Sequence, residues 1–162
     1  SLNQPFDENV YANEYEIDFL IGNNSDYRIK GIVDRLDVDE NDNWIIHDYK
    51  TGKRSYNQKE ADKDLQLGLY QIGLEKTKKN IKDVLLVWHF LQQSEENILV
   101  YSKRSKSDLE KVVKKIVNLI DEIRLKILNN KKFVAKKSML CNWCYYWQEC
   151  PVQENSNPYL PS

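Results

Sequence analysis

The 162-residue chain has no apolar run long enough to span a membrane. Its first ten residues, "SLNQPFDENV", lack the basic-then-apolar pattern of a secretory signal. Together these absences point to a cytoplasmic protein. Internal repeats and low-complexity blocks are also missing. There are only three cysteines, all within ten residues of one another near the C-terminus. An odd number so confined excludes the disulfide framework of a small secreted domain. The net charge of −1 excludes a polycation. What remains, 41% apolar and 30% charged residues, suits one globular domain with a real core.

Charge is unevenly distributed. Residues 1–50 carry 4 basic and 12 acidic side chains, whereas residues 101–162 carry 12 basic and 6 acidic ones. Such asymmetry suits a polyanion gripped by one surface and a cation bound by another. Solvated faces of lysine-rich helices would give the same balance.

Hydrophobic periodicity predicts strands over 15–21 ("YEIDFLI"), 27–38 and 44–49, with turns at "NNSD" (23–26) and "DENDN" (39–43). A helix is predicted over about 57–76. The nearly continuous apolar run "VLLVWHF" (84–90) reads as a buried central strand, and "ILVYS" (98–102) as its successor. Ser107 to Glu110 fits a capping box. Leu109, Val113, Ile116, Ile120, Ile123 and Ile127 then recur at helical spacing. Three strands, a helix, two strands and a helix indicate an α/β sandwich around a mixed sheet.

The hairpin of the second and third strands carries the chemistry. Folding it about residues 39–43 sets Val38 opposite Trp44, Leu36 opposite Ile46 and Asp34 opposite Asp48. With period-two alternation, Ile32, Leu36, Val38, Trp44 and Ile46 share a core face that ends in Asp34, Asp48 and Lys50. Two opposed carboxylates, roughly 5 Å apart at Cβ, repel one another beside a core unless a cation lies between them. Oxygen-only ligands suit magnesium or manganese. Lys50 is placed to hold an attacking water or steady developing negative charge. A salt bridge from Lys50 to either aspartate at the rim of the sheet is the plainer alternative.

"GIVDRLD" (31–37), then "DYKTG" (48–52), then "QLGLY" (66–70) resembles the RecB-type branch of the PD-(D/E)XK nuclease superfamily. The resemblance covers nearly the whole chain. It implies a three-layer restriction-endonuclease-like fold and metal-dependent hydrolysis of DNA by a domain often joined to, or partnered with, a helicase. It implies that Asp34 and Asp48 bind Mg2+ or Mn2+, with the Tyr49 carbonyl and Glu14 as further ligands, and that Lys50 is catalytic. Gln66 and Tyr70, four apart on one helical face, would contact substrate, although such a pair is otherwise an ordinary amphipathic boundary. Arg35 alternates to the other face and is expected to pair with Asp37 or a neighbour; His47 and His89 read as structural.

Cys141, Cys144 and Cys150 have a C-x2-C-x5-C spacing typical of zinc or iron–sulfur ligation. Unligated core thiols and a local disulfide are the alternatives. Cluster-bearing members of the family, such as AddB and the CRISPR-associated ones, take three ligands of a 4Fe-4S cluster from this spacing and a fourth from a cysteine far upstream. No cysteine precedes Cys141 here, and no histidine precedes His47, although the family commonly places a metal-binding histidine before the first strand. The expectation is therefore a piece of a larger polypeptide. Residues 1–138 form a nuclease core lacking its N-terminal helix, and 139–162 a cysteine-bearing tail. A non-catalytic DNA-binding module of the same fold and a zinc-binding interaction module are the competing functions.

Overall fold

The structure is a computed structural model, and it describes residues 9–22, 27–94 and 98–151. The predicted turn at 23–26 and the end of the tail, 152–162, lie outside the described residues. The chain divides into two compact units, Ser1–Ile120 and Asp121–Ser162.

In the first unit, β1 (Val10–Leu20), β2 (Arg28–Val38), β3 (Asn43–Lys50), β4 (Asp83–Phe90) and β5 (Leu99–Ser102) form one sheet in sequence order. β3 and β4 run parallel, and the other neighbours are antiparallel. The expected α/β architecture around a mixed sheet is thus present. The parallel pair needs a crossover, supplied by α1 (Gln58–Ala61) and α2 (Leu65–Thr77). The single predicted helix is broken because each piece has its own cap. Asn57 and Glu60 form a reciprocal box at α1, and the Asp64 carboxylate accepts from the Leu67 amide to start α2.

The main apolar face of β3 and β4 carries Trp44, Ile46, Val84, Leu86, Trp88 and Phe90, all buried. α2 lies close over β1. A side chain at Gly73 would meet the Phe19 ring at 2.8 Å, so glycine permits the approach.

The hairpin register is as predicted from Val38↔Trp44 through Leu36↔Ile46, and the ladder continues to Arg35↔His47. Asp34↔Asp48 is not among the ladder pairs. Ile32 is a correction: it is 54% exposed, while Val33 is buried. Inward positions on β2 run Ile29, Gly31, Val33 and then switch to Leu36 and Val38. Simple alternation is lost at this point. Across the sheet, between the pairs Asn13↔Arg35 and Tyr15↔Val33, Glu14 adopts a left-handed backbone with φ of 51°.

α3 (Lys106–Leu128) begins in the first unit. Its box is not Ser107 with Glu110. Ser105 and Asp108 satisfy each other's backbone amides, two residues earlier. Leu109 and Val112 are buried, but Ile123 and Ile127 are exposed. The predicted stripe is therefore covered only near its start.

The second unit holds the end of α3 and two short 3-10 turns, Met139–Trp143 and Trp147–Glu149. The Ser138 hydroxyl accepts from the Leu140 amide at the first turn.

Candidate active site

β3 ends with its side chains sorted by alternation. Asp48 and Lys50 point to the core face, and Tyr49 points to the reverse face. β4 pairs β3 through Lys50↔Phe90, so the strand stays extended to its last residue. β2 has parted from β3 here. Asp34 fills the gap with its side chain: its Oδ2 accepts from the Tyr49 amide at 2.8 Å. The two aspartates therefore meet at one strand end, joined through a backbone N–H rather than through a ladder pair.

Asp48 is 2% exposed. Lys50 Nζ donates to its Oδ1 at 3.0 Å and lies 2.7 Å from Oδ2, off the direction of a hydrogen bond. Among the described residues Oδ2 has no hydrogen-bond partner, although it is buried. Burial raises the Asp48 pKa above the usual carboxylate value; Lys50 opposes this, and the charges of Asp34 and Asp64 add to it. For Lys50 burial works against the charge, but the Asp48 carboxylate outweighs it and the pKa rises. The ammonium is thus held charged beside a carboxylate strained toward neutrality. A divalent cation would relieve that carboxylate by coordinating Oδ2, which has an ion-pair contact but no hydrogen bond. The donor chemistry, carboxylate oxygens without soft ligands, fits magnesium or manganese.

α2 completes the site. Lys50 Nζ also donates to Gln66 Oε1 at 2.9 Å, and Gln66 Nε2 donates to the Tyr70 hydroxyl at 3.0 Å. The i, i+4 spacing puts Gln66 and Tyr70 on one helical face, as predicted. The polar chain Asp48–Lys50–Gln66–Tyr70 therefore links the strand end to the crossover helix. The Tyr70 ring crosses Gly31 of β2 so closely that a Cβ there would lie 2.8 Å from its Cε1.

The PD-(D/E)XK nuclease superfamily model matches residues 4–151. The chain belongs to that superfamily. No curated protein matches the chain. It is similar to the solved structure titled "Crystal structure of SSO0001" at 14% identity and a TM-score of 0.45, over 89% of this chain and 61% of that one. The chain therefore spans about three fifths of the length of that solved chain.

In this nuclease superfamily domain Glu14 stands on β1 in the register position across from Asp34, exposed. Among the described residues no three His, Cys, Asp or Glu side chains converge to hold a metal, so Glu14 does not close a set with the two aspartates, nor do the three cysteines make one. Cys141, Cys144 and Cys150 form no disulfide. Three thiols are one short of a four-cysteine cluster set. No helix of the described residues is long and apolar enough to cross a membrane.

Two contributors went unread in the sequence. Gly31 makes room for Tyr70, and the only signal for it is its place in "GIVDRLD". Asp64 caps the helix that carries Gln66 and adds negative charge near Asp48 and Lys50. Its signal is an aspartate two residues before "QLGLY", at N-cap spacing from Leu67.

Proposed function

We propose that this domain is a RecB-type deoxyribonuclease that hydrolyses phosphodiester bonds of DNA. The observation that carries this reading is the buried Asp48 carboxylate, whose Oδ2 accepts no hydrogen bond and faces the Lys50 ammonium at 2.7 Å, while Gln66 holds that lysine from the other side. Asp34, Asp48 and the Tyr49 carbonyl would hold the magnesium or manganese ion. When bound, such an ion polarises a phosphoryl oxygen and lowers the pKa of a coordinated water. Lys50, fixed from two sides, orients the attacking water or stabilises charge that develops on the phosphate. Gln66 prevents Lys50 from collapsing wholly onto Asp48, and Tyr70 fixes the Gln66 amide. Asp34, through the Tyr49 amide, keeps β2 and β3 together where their ladder has ended.

Within this reading the domain is the exonuclease portion of a DNA-repair or CRISPR-type protein, working with a helicase domain or subunit. The lysine-rich residues after 100 contact the nucleic-acid backbone. The cysteine segment would supply three ligands of a 4Fe-4S cluster only if a fourth came from elsewhere, and no catalytic step depends on it. Asp48→Asn tests the proposal. Magnesium- or manganese-dependent cleavage of DNA should disappear while the thermal transition is retained; undiminished cleavage would exclude the assignment.

A further inference from the structure

On the reverse face of the sheet four polar side chains are buried together: Arg35, Asp37, His47 and His89, each no more than 6% exposed. Arg35 donates to both Asp37 oxygens at 2.7 Å, in a fork-to-carboxylate pair. His47 Nε2 lies 3.3 Å from Asp37 Oδ2, and His47 Nδ1 lies 2.8 Å from His89 Nε2. The His47 Nε2 contact with Asp37 is a charge contact without hydrogen-bond geometry, whereas His47 Nδ1 and His89 Nε2 share a hydrogen bond; the nearby carboxylate favours the tautomer with the proton on Nε2, in which Nδ1 accepts from His89 Nε2–H. The His89 ring is thereby held by His47, which packs against the Arg35–Asp37 pair. That ring stacks on Tyr49, with centroids 4.5 Å apart and planes 29° apart. The Tyr49 phenol in turn lies against the Arg35 guanidinium and adds to the effect of Asp37 in keeping it charged.

A buried ion pair is poor support for stability alone, because apolar residues of similar volume often do as well or better. This one closes a ring of contacts around Tyr49, whose peptide groups lie between Asp48 and Lys50 and whose N–H holds Asp34. We propose that His89, held by His47, Asp37 and Arg35, is a positioning residue that fixes the Tyr49 backbone and with it the two active-site aspartates. This rests on the nuclease reading above. The cluster is buried on the opposite side of the strand from Asp48 and Lys50, and would act as an outer shell does for metal ligands.

The test compares His89→Leu, which fills the volume without a planar face, with His89→Phe, which restores the stack. Amide exchange is read on metal-free protein at Tyr49 and, as an internal reference, at Ile46 in the middle of β3. His89→Leu should speed exchange at Tyr49 about tenfold more than at Ile46 and weaken Mn2+ binding, followed by electron paramagnetic resonance, by about tenfold, the scale of outer-shell losses. His89→Phe should return both to within about threefold of the native protein on that scale. Equal acceleration at Tyr49 and Ile46, or identical behaviour of the Leu and Phe variants, would overturn the proposal. If the native protein neither bound Mn2+ nor cleaved DNA, the nuclease reading would fail, while the exchange comparison would still decide whether His89 positions Tyr49.

Discussion

Replacing Gly31 with alanine would drive a methyl group into the edge of Tyr70. The new Cβ would lie 2.8 Å from Tyr70 Cε1, while its next contacts, to Ile17, are at 3.4 and 3.5 Å. The latter two are close to ordinary van der Waals separations, so the clash has a single source. Tyr70 is half-buried and its hydroxyl receives the Gln66 amide, so the ring cannot swing away without releasing Gln66 and loosening its grip on Lys50. Overpacking of this kind costs about 1–3 kcal/mol. For a domain of this size that is a fall in Tm of roughly 2–12 °C. The assay is a double-mutant cycle. Gly31→Ala in a Tyr70→Ala background, where the obstructing ring is gone, should cost little, giving a coupling energy of about 1–2 kcal/mol by urea denaturation. DNA cleavage by Gly31→Ala should fall together with that of Tyr70→Ala, and the double variant should fall no further. Equal destabilisation by Gly31→Ala in both backgrounds would refute the reasoning, because the cost would then have nothing to do with Tyr70.

Lys50→Ala should reduce cleavage by about 10²–10³, the usual worth of a positioned charge, whereas Gln66→Ala, acting through Lys50, should lose about tenfold; a harmless Lys50→Ala would remove Lys50 from the chemistry. His89 has its pKa lowered from 6.5 to about 4, by burial first and then by the positive charge of His47 when that ring is protonated and of Arg35. The unfolded chain therefore binds more protons between those values, and the stability this group contributes is complete above 6.5 and is lost as pH falls toward 4. Denaturation of metal-free protein should show about 2 kcal/mol less stability at pH 5 than at pH 7, from the pKa difference, and His89→Leu should flatten that dependence; an unchanged slope would contradict it. Ser105→Ala should cost about 1 kcal/mol as a lost N-cap, while Ser107→Ala should be neutral; the reverse result would restore the box to its predicted place.

The hairpin was legible because turn length and alternation both act over few residues. Val38↔Trp44 and Leu36↔Ile46 follow from a polar turn of five residues and two apolar stripes. Alternation misplaced Ile32 because it assumes one parity along the whole strand, whereas the inward positions of β2 change parity between Val33 and Leu36. Two overlapping spacings compete for the α3 cap, Ser105 with Asp108 and Ser107 with Glu110, and local spacing alone does not choose between them; the structure uses Ser105 with Asp108. Gln66 and Tyr70 could be read as a pair from i, i+4 geometry. Their link to Lys50 could not, since it needs the crossover helix laid back on the strand end. The Arg35–Asp37 pair was likewise within reach, two residues apart on one face. The His47–His89 contact spans 42 residues and depends on the parallel pairing of β3 with β4.

That parallel pairing also imposes an order in time. β2 and β3 close across a turn of five residues, whereas Asn43↔Asp83 closes only after forty residues of chain have folded back. Loop closure over short separations is the faster event. The two aspartates are thus brought within reach of each other by the early hairpin, while Lys50 meets Gln66, and His47 meets His89, only when the crossover docks. The acidic half of the centre is assembled by local folding and the half that orders it by global folding. A chain arrested between the two steps would gather negative charge at one strand end without the groups that hold it in place.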